Sequence, residues 1–503
     1  MRPEAAWSPF VGTERSANME NNENHKATNP LTWQTEPVWD RLSADERQQM
    51  MAFAEGYRRY LSTVKTERES VEYVEQRARA QGFAPFAEKA AQGIQAGDKV
   101  YFVNRNKAIL LVQVGARPLA EGISLVGAHL DTPRIDLKPN PLYQDEKMAL
   151  FKTHYYGGIK KYQWLTIPLA LHGVTILPDG TVRRINLGEA PEDPVFTITD
   201  LLPHLAKEQM EKKLSEAIEG EGLNILVGGL PAGQGTGGAA AEKEANRFKQ
   251  AVLEILHRHL AMTEEDFLSS EWQAVPAGAA RDIGFDRAFV GGYGQDDRVC
   301  CYTAAEALFD RAGGGRTAAV LLVDKEETGS DSNTGMRSRF FENALSELIY
   351  AATPGGDRMP PELTLRRCLF NTKALSADVL AAMDPNYGGV LDERNAARMG
   401  FGVAVARYTG SRGKYGTSEA NAEFMAEVRR IFQTAGIAWQ SGELGKVDQG
   451  GGGTIAQFLA IYGMEVLDCG VPLLSMHAPF EVAHKADVYM AYRAYKAFLE
   501  GDG

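Results

Sequence analysis

Cysteine is scarce in this sequence, and its pattern is that of reduced thiols. The 503 residues contain four cysteines with no CxxC pair, which argues against the disulfide framework of a small secreted domain. The N-terminus lacks both the basic start and apolar run of a signal peptide and the Arg-rich, acid-poor pattern of a transit peptide. We therefore expect a cytoplasmic protein in which residues 1–40 form a polar, mobile tail.

Long apolar runs and an excess of positive charge are also missing. No segment approaches the roughly 20 consecutive apolar residues that a membrane-spanning helix needs, so we expect no membrane partner. Lys and Arg total 54 against 66 Asp and Glu, a formal net charge of −12. That balance argues against a broad phosphate-binding surface, and hence against nucleic acid as a partner.

Enough apolar material is present for several globular domains. Hydrophobic residues make up 44% of the chain, which excludes disorder as a general description. Short apolar runs at 108–114, 123–128, 317–323 and 465–467 are typical of buried strands. Helical patterns lie at 44–82, 298–312, 418–435, 454–462 and 487–500, with Thr66 and Glu69 spaced as a capping box. This alternation predicts an α/β sandwich around a parallel or mixed sheet.

The pattern of apolar and polar residues changes between residues 143 and 285. Shorter alternating segments occur there, including a hairpin pattern from Gly173 to Gly180 around Pro-Asp-Gly. We predict a β-rich insertion at 143–285 in an α/β domain made of 41–142 and 286–503. Gly233-Gln-Gly-Thr-Gly-Gly238 matches GxGxxG and precedes a helical pattern at 242–259. Leu230-Pro-Ala232 separates it from a preceding strand, which favours a flexible loop over a dinucleotide site.

Polar side chains follow two of the predicted buried strands. His129 and Asp131 come where the 123–128 strand ends, and an imidazole there can bind a divalent metal while a carboxylate holds its other nitrogen. Glu326 and Glu327 follow the strongest strand, so one can bind metal while its neighbour takes a proton from water. A capping pair and a solvated acidic turn are the structural alternatives.

Four more side chains that could bind metal lie further along the chain. Asp296 and Asp297 precede a helix and are either first-turn acids or metal ligands, since a carboxylate can bridge two cations. Asp378 and His477 complete the set, although His477 alone is more typical of a core histidine. Oxygen and imidazole ligands of this kind suit zinc, cobalt or manganese.

These motifs, taken together and in this order, resemble the M18 family of metallo-aminopeptidases, the relatives of aspartyl aminopeptidase and aminopeptidase I within the dinuclear zinc-peptidase clan. The resemblance runs from about residue 60 to the C-terminus. Its anchors are Lys65-Thr-Glu-Arg68, Gly127-Ala-His-Leu-Asp-Thr-Pro133, Lys325-Glu-Glu-Thr-Gly-Ser330, Leu375-Ser-Ala-Asp378 with Pro385-Asn-Tyr387, and Leu474-Ser-Met-His477. It implies a three-layer α/β/α zinc-peptidase sandwich with an inserted β-rich oligomerisation domain.

The resemblance also implies a ligand set for two divalent ions, zinc first and cobalt or manganese as alternatives. His129 and Asp378 would bind one ion, and Glu327 and His477 would bind the other. Asp296 would bridge the two ions.

Catalytic roles follow from the same resemblance. Asp131 would orient His129, and Glu326 would be the general base that acts on a metal-activated water. A cis peptide bond is expected between Asp296 and Asp297. The implied reaction removes N-terminal residues from peptides with a free N-terminus.

Relatives assemble as tetrahedral dodecamers, which implies a homo-oligomer here. Two departures from the family pattern stand out: Tyr162 occupies the region of a usual histidine, and the bridge motif reads Gln295-Asp-Asp-Arg298. Both leave the preferred N-terminal residue open, because they bear on the substrate more than on hydrolysis.

Three other functions stay open from the sequence. They are another hydrolase of the clan such as a carboxypeptidase or N-deacylase, a catalytically silent shell-forming or peptide-binding protein, and a nucleotide-dependent oxidoreductase using the glycine motif.

Overall fold

The computed structural model describes residues 31–233, 246–352 and 360–501. Residues 1–30 of the predicted tail and residues 234–238 of the glycine motif lie outside the described residues. The remaining tail residues include a first short helix, Val38–Arg41.

The described residues form thirteen α-helices, several of them single turns. In chain order they are α1 (Val38–Arg41), α2 (Ala44–Thr63), α3 (Glu67–Ala80), α4 (Phe86–Ala90), α5 (Lys207–Glu211), α6 (Leu214–Ala217), α7 (Arg247–Leu260), α8 (Gln295–Phe309), α9 (Phe340–Ala352), α10 (Pro361–Asn371), α11 (Ala422–Thr434), α12 (Ala456–Ala460) and α13 (Lys485–Glu500).

Twenty strands lie in the same described ranges. In chain order they are β1 (Ala84–Pro85), β2 (Lys99–Asn104), β3 (Ala108–Gln113), β4 (Ser124–His129), β5 (Arg134–Asp145), β6 (Met148–Tyr156), β7 (Leu169–Ile176), β8 (Val182–Leu187), β9 (Ile225–Gly228), β10 (Ser270–Pro276), β11 (Arg281–Ile283), β12 (Phe289–Gly292), β13 (Ala318–Val323), β14 (Lys373–Ser376), β15 (Leu380–Ala381), β16 (Val403–Ala406), β17 (Trp439–Ser441), β18 (Glu465–Gly470), β19 (Pro472–Leu474) and β20 (Glu481–His484).

A nine-stranded mixed sheet is the centre of the molecule, in the order β1-β2-β3-β13-β4-β14-β18-β16-β17. Alternate side chains of its strands point to opposite faces, and both faces are buried. Ile109 and Leu111 join a core with helices α2, α3, α8, α11 and α13, whereas Leu110 and Val112 join a second core with α9, α10 and α12. The predicted three-layer α/β/α arrangement is therefore confirmed.

A six-stranded antiparallel sheet, β8-β7-β10-β5-β6-β9, is built from residues 134–276. It has its own core, which includes Phe151, Trp164 and Trp272, with α7 packed on it. The predicted hairpin at 173–180 is present as the turn between β7 and β8. Strand β5 begins five residues after β4 ends, so the chain passes directly from the central sheet into this one.

A smaller five-stranded sheet, β11-β12-β20-β19-β15, lies beside the central sheet. It supports the turn between β19 and β20 and the start of α8, which follows β12 by three residues. None of the helices in the described ranges combines the length and hydrophobicity needed to cross a bilayer.

Several predicted boundaries differ from the observed ones. The predicted helical stretch 44–82 is two helices separated at residues 64–66, because Lys65 is buried there and donates from Nζ to the carbonyl of Gly278 at 2.8 Å. Helix α8 includes Gln295, but Asp296 and Asp297 have non-helical backbone angles, so its regular part starts at the predicted Arg298. Helices α11 and α12 are shorter than predicted at both ends.

The capping box of α3 is confirmed, and its contribution to stability can be measured. The Thr66 hydroxyl accepts from the Glu69 N–H at 3.2 Å, and a Glu69 carboxylate oxygen accepts from the Thr66 N–H at 3.0 Å. We expect Thr66→Ala to lower the free energy of unfolding by about 1 kcal/mol, since one helix N–H loses its partner. Chemical denaturation of Thr66→Ala and Thr66→Ser checks this; serine keeps the hydroxyl, so an equal loss in both variants would contradict the capping role.

Candidate metal centre

Three neighbouring parallel strands bring most of the predicted site residues to one edge of the central sheet. His129 is the last residue of β4, Glu326 and Glu327 lie in a turn just after β13, and Asp378 follows β14 by two residues. The pairing of β13 with β4 and of β4 with β14 is parallel. Their carboxyl ends therefore meet, which is the usual position of a site in an open α/β sheet.

The remaining two predicted ligands come from the border with the five-stranded sheet. Asp296 lies in the first turn of α8 with non-helical backbone angles, and its peptide bond to Asp297 is cis, as the resemblance implied. His477 lies in the turn between β19 and β20. Asp296 is therefore not an ordinary first-turn acid, because its carboxylate faces two histidines.

The carboxylate of Asp296 lies between these histidines. Its Oδ1 is 3.3 Å from His129 Nε2, and its Oδ2 is 3.1 Å from His477 Nε2. His129 Nε2 also lies 3.9 Å from Asp378 Oδ1, and His477 Nε2 lies 3.5 Å from Glu327 Oε1. The structure thus brings all five predicted metal ligands together. His129, Asp296 and Asp378 form one group and Asp296, Glu327 and His477 form a second, while His129 also groups with Glu326 and Glu327.

These separations suit metal ligation. Two ligand atoms that each lie 2.0–2.2 Å from a tetrahedral zinc ion are roughly 3.4 Å apart, and the separations in this centre run from 3.1 to 3.9 Å. Asp296 Oδ1 and Glu327 Oε1 are buried and accept no hydrogen bond. A buried carboxylate oxygen without a donor needs a cation or water, so the residues present fit divalent metal ions.

Mutual repulsion of the carboxylates supports the same conclusion. Burial raises the pKa of Glu327 and of Asp378 well above the ordinary range, and nearby negative charge on Asp296 adds to both shifts. Divalent cations would favour the ionised forms of these groups.

Asp131 connects the first histidine to the glutamate turn. His129 Nδ1 lies 3.0 Å from the Asp131 carbonyl oxygen and 3.4 Å from its Oδ1. The same carboxylate accepts from the backbone N–H groups of Glu326 and Glu327, at 3.0 and 3.2 Å. Asp131 is therefore placed both to fix the ring of His129 and to fix the turn that carries the glutamates.

The two adjacent glutamates differ in their surroundings. Both line the cavity over the cluster, but the Glu327 side chain is 4% exposed and faces His477, whereas the Glu326 side chain is 17% exposed. Burial raises the pKa of Glu326 to about 7, with the charges of Asp131 and Asp296 contributing. A carboxylate with a pKa near neutrality is suited to accept and release a proton.

Sequence reasoning missed Glu481, whose carboxylate orients the backbone at Asp296 and at His477. Its Oε2 accepts from the N–H groups of Gln295 and Asp296 at 2.6 and 3.2 Å, and its Oε1 accepts from the His477 N–H at 2.7 Å. Burial raises its pKa to about 8. Its spacing of four residues from His477 carries no motif that could have identified it.

The sequence left Asp297 open as a first-turn acid or a metal ligand; in the structure it is fully buried and accepts from the His129 N–H at 3.3 Å. Asp297 therefore fixes the backbone of His129, and the side chain of His129 faces Asp296.

A cavity of about 350 Å³ opens over the cluster. Its walls beyond the charged residues include Val379, Leu380, Leu444 and Met476. Among the described residues that line it, none is Lys or Arg.

Comparisons with known proteins identify the family of this chain. The profile of the family described as Aminopeptidase I zinc metalloprotease (M18) matches residues 60–499. The "Probable M18 family aminopeptidase 1" of Clostridium acetobutylicum is 48% identical over 473 residues, 94% of this chain and 99% of that protein. The protein of the same name from Thermotoga maritima is 47% identical over 92% of this chain and 98% of its own length.

Solved structures give the same result. The crystal structure of an M18 family aminopeptidase from Thermotoga maritima matches with a TM-score of 0.86 at 46% identity, covering 93% of this chain and 100% of that one. Aminopeptidase I from Clostridium acetobutylicum gives 0.84 at 43% identity, covering 94% and 100%. A structure described as an S. cerevisiae mApe1 dodecamer, 18% identical with a TM-score of 0.69 over 90% of this chain and 96% of that one, shares the fold. The chain therefore belongs to the M18 family of aminopeptidases, which are peptide hydrolases.

Proposed function

We propose that this protein is a dinuclear zinc aminopeptidase that removes N-terminal residues from peptides. The observation that carries the proposal is the position of Asp296, whose two carboxylate oxygens face different histidines at 3.3 and 3.1 Å. A carboxylate in that position suits two cations about 3.5–4 Å apart, since it lowers their repulsion.

The residues present divide into two ligand groups. His129 and Asp378 would hold one zinc ion, His477 and Glu327 would hold the other, and Asp296 would serve both. Bound there, the ions would polarise the scissile carbonyl and lower the pKa of the attacking water. Cobalt or manganese would suit the same oxygen and imidazole ligands.

Glu326 is assigned as the general base. It takes the proton of the attacking water on one carboxylate oxygen and delivers it to the leaving amine nitrogen. Asp131 keeps the ring of His129 in place while this happens. The free N-terminus of the peptide is a cation, and a cavity floored by carboxylates favours it electrostatically.

Glutamine substitutions of the two glutamates test these roles. Glu326→Gln keeps the shape of the side chain and removes the base, so we expect kcat to fall by roughly 10²–10⁴ with both zinc ions retained. Glu327→Gln is the matched contrast, because it weakens a ligand and lowers zinc occupancy at one site. Zinc content and turnover measured in parallel decide between them; near wild-type kcat for Glu326→Gln with both ions bound would exclude it as the base.

The cavity chemistry supports a substrate that is not limited to acidic N-terminal residues. An acidic side chain would favour a cationic partner, and Arg412 and Lys414 are the candidates in the sequence. Lys414 instead pairs with Glu419 at 3.1 Å and lies over the Tyr408 ring, and neither basic residue lines the cavity. Tyr162, in the region of the usual family histidine, is 43% exposed.

We therefore expect turnover of peptides that begin with neutral residues. A scan of aminoacyl fluorogenic substrates on zinc-loaded protein measures this preference, and peptides blocked at one end or the other separate an aminopeptidase from a carboxypeptidase. Turnover of Asp and Glu substrates alone would contradict the expectation.

We further propose that the insertion 143–285 is an oligomerisation domain and that the protein forms a homo-oligomer, a tetrahedral dodecamer. Its short helical segments between β8 and β9 carry apolar side chains that are largely exposed in the single chain, among them Leu205, Met210 and Leu214 at 62–78% exposure. Exposed apolar clusters of this kind are typical of interaction surfaces. The free state of all four cysteines supports the predicted cytoplasmic location.

The number of chains in the assembled particle can be measured directly. We expect mass photometry of the purified protein to give a particle of twelve chains. A monomer as the only species at working concentration would contradict the assembly, and would leave the assignment of the metal centre unaffected.

A further inference from the structure

The six-stranded sheet reaches the metal centre through the end of β6. Strand β5 leaves the turn that follows His129, and β6 returns antiparallel to it, so that Tyr156 pairs with Arg134. This register brings Tyr156 and the two glycines that follow it back to the metal ligands.

The hydroxyl of Tyr156 is bonded to the carboxylate of Asp131, whose other oxygen, Oδ1, lies 3.4 Å from His129 Nδ1. It donates to Asp131 Oδ2 at 2.6 Å, and the ring packs against two cations, with the Arg134 guanidinium carbon 3.9 Å and the Lys325 Nζ 4.8 Å from its centroid. Burial and the charge of Asp131 raise the pKa of Tyr156 well above its ordinary value. The hydroxyl therefore keeps its proton and acts as a donor.

The carbonyl of Gly158 is bonded to the other histidine. His477 Nδ1 lies 2.9 Å from this oxygen. Because a carbonyl can only accept, Nδ1 must carry the proton, and Nε2 is left with its lone pair towards Asp296 and Glu327. The same argument applies to His129, whose Nδ1 faces the Asp131 carbonyl.

Close approach explains why glycines follow Tyr156. A Cβ at Gly158 would lie 3.3 Å from His477 Nδ1, and a Cβ at Gly157 would lie 3.4 Å from the Cβ and Oε2 of Glu327. Any side chain there would press on the ligands of the second ion. Gly157 also has a φ of 73°, which favours glycine.

We infer that segment 156–158 positions both histidine ligands from outside the central sheet, with Tyr156 acting on His129 through Asp131 and Gly158 acting on His477 directly. The inference rests on the proposed two-ion function. Tyr156 and Gly158 are positioning residues, because neither touches the reacting atoms. The metal centre is then completed by the same unit that carries the proposed oligomerisation surface.

The test must measure zinc binding at each site separately, so each substitution is made in two variants of the full chain that lack one histidine ligand. The His477→Ala variant keeps the site of His129, and the His129→Ala variant keeps the site of His477. In each background of the full chain, zinc affinity is measured by competition with a chromogenic chelator, without reference to activity.

Tyr155→Phe serves as the control for the tyrosine, since Tyr155 is 40% exposed. Gly229→Ala is the control for the glycine, since a Cβ there meets no atom within 4 Å.

We expect Tyr156→Phe to weaken zinc binding by roughly 10–100-fold in the His477→Ala background and to leave it unchanged in the His129→Ala background. Gly158→Ala should give the reverse pattern. Tyr156→Phe keeps the ring and its packing, so it remains a valid test if Gly158→Ala fails to fold. Equal effects in both backgrounds, or none, would overturn the inference while the two-site assignment stands. Loss of both zinc ions from either histidine variant alone would contradict the proposed function and the inference with it.

Discussion

The burial of several carboxylates at one edge of the central sheet is the constraint on which the rest of the site depends. Asp131, Asp296, Glu327 and Asp378 are largely removed from water, and the two histidines alone do not neutralise them. Such a group of like charges is stable only if cations or protons compensate it. The proposed zinc ions supply that compensation, and their Lewis acidity is what hydrolysis requires.

The fold brings these carboxylates close together because several chain segments meet at this edge of the central sheet. The parallel strands β13, β4 and β14 end side by side, the five-stranded sheet supports Asp296 and His477, and β6 approaches from the six-stranded sheet. The Glu481 carboxylate accepts hydrogen bonds from the backbone N–H groups of Asp296 and His477 and so fixes their backbone. His129, Asp296, Glu327 and His477 are thus each held by bonds to the backbone or to the second ring nitrogen, which favours one geometry for the proposed ions.

Local signals in the sequence predicted the strands, the capping box at Thr66 and the ligand candidates, because they depend on burial periodicity and on short motifs. The family resemblance then gave the order of the ligands. Features that depend on distant partners were missed. The contact that holds the junction of α2 and α3 is one: the capping box marks where α3 begins, but no local pattern shows that the buried Arg298 donates to the carbonyls of Val64 and Lys65 at 2.9 and 3.0 Å. Glu481 is another, because its three donors come from two separate segments and no local pattern marks them.

The central claim is that Asp296 lies between two metal ions. Anomalous diffraction at the zinc absorption edge, from crystals of the zinc-loaded protein, tests it most directly. The account predicts two peaks about 3.5–4 Å apart, one beside His129 and Asp378 and the other beside His477 and Glu327, with the Asp296 carboxylate between them. A single peak at full zinc loading, or two peaks on the same side of Asp296, would contradict it.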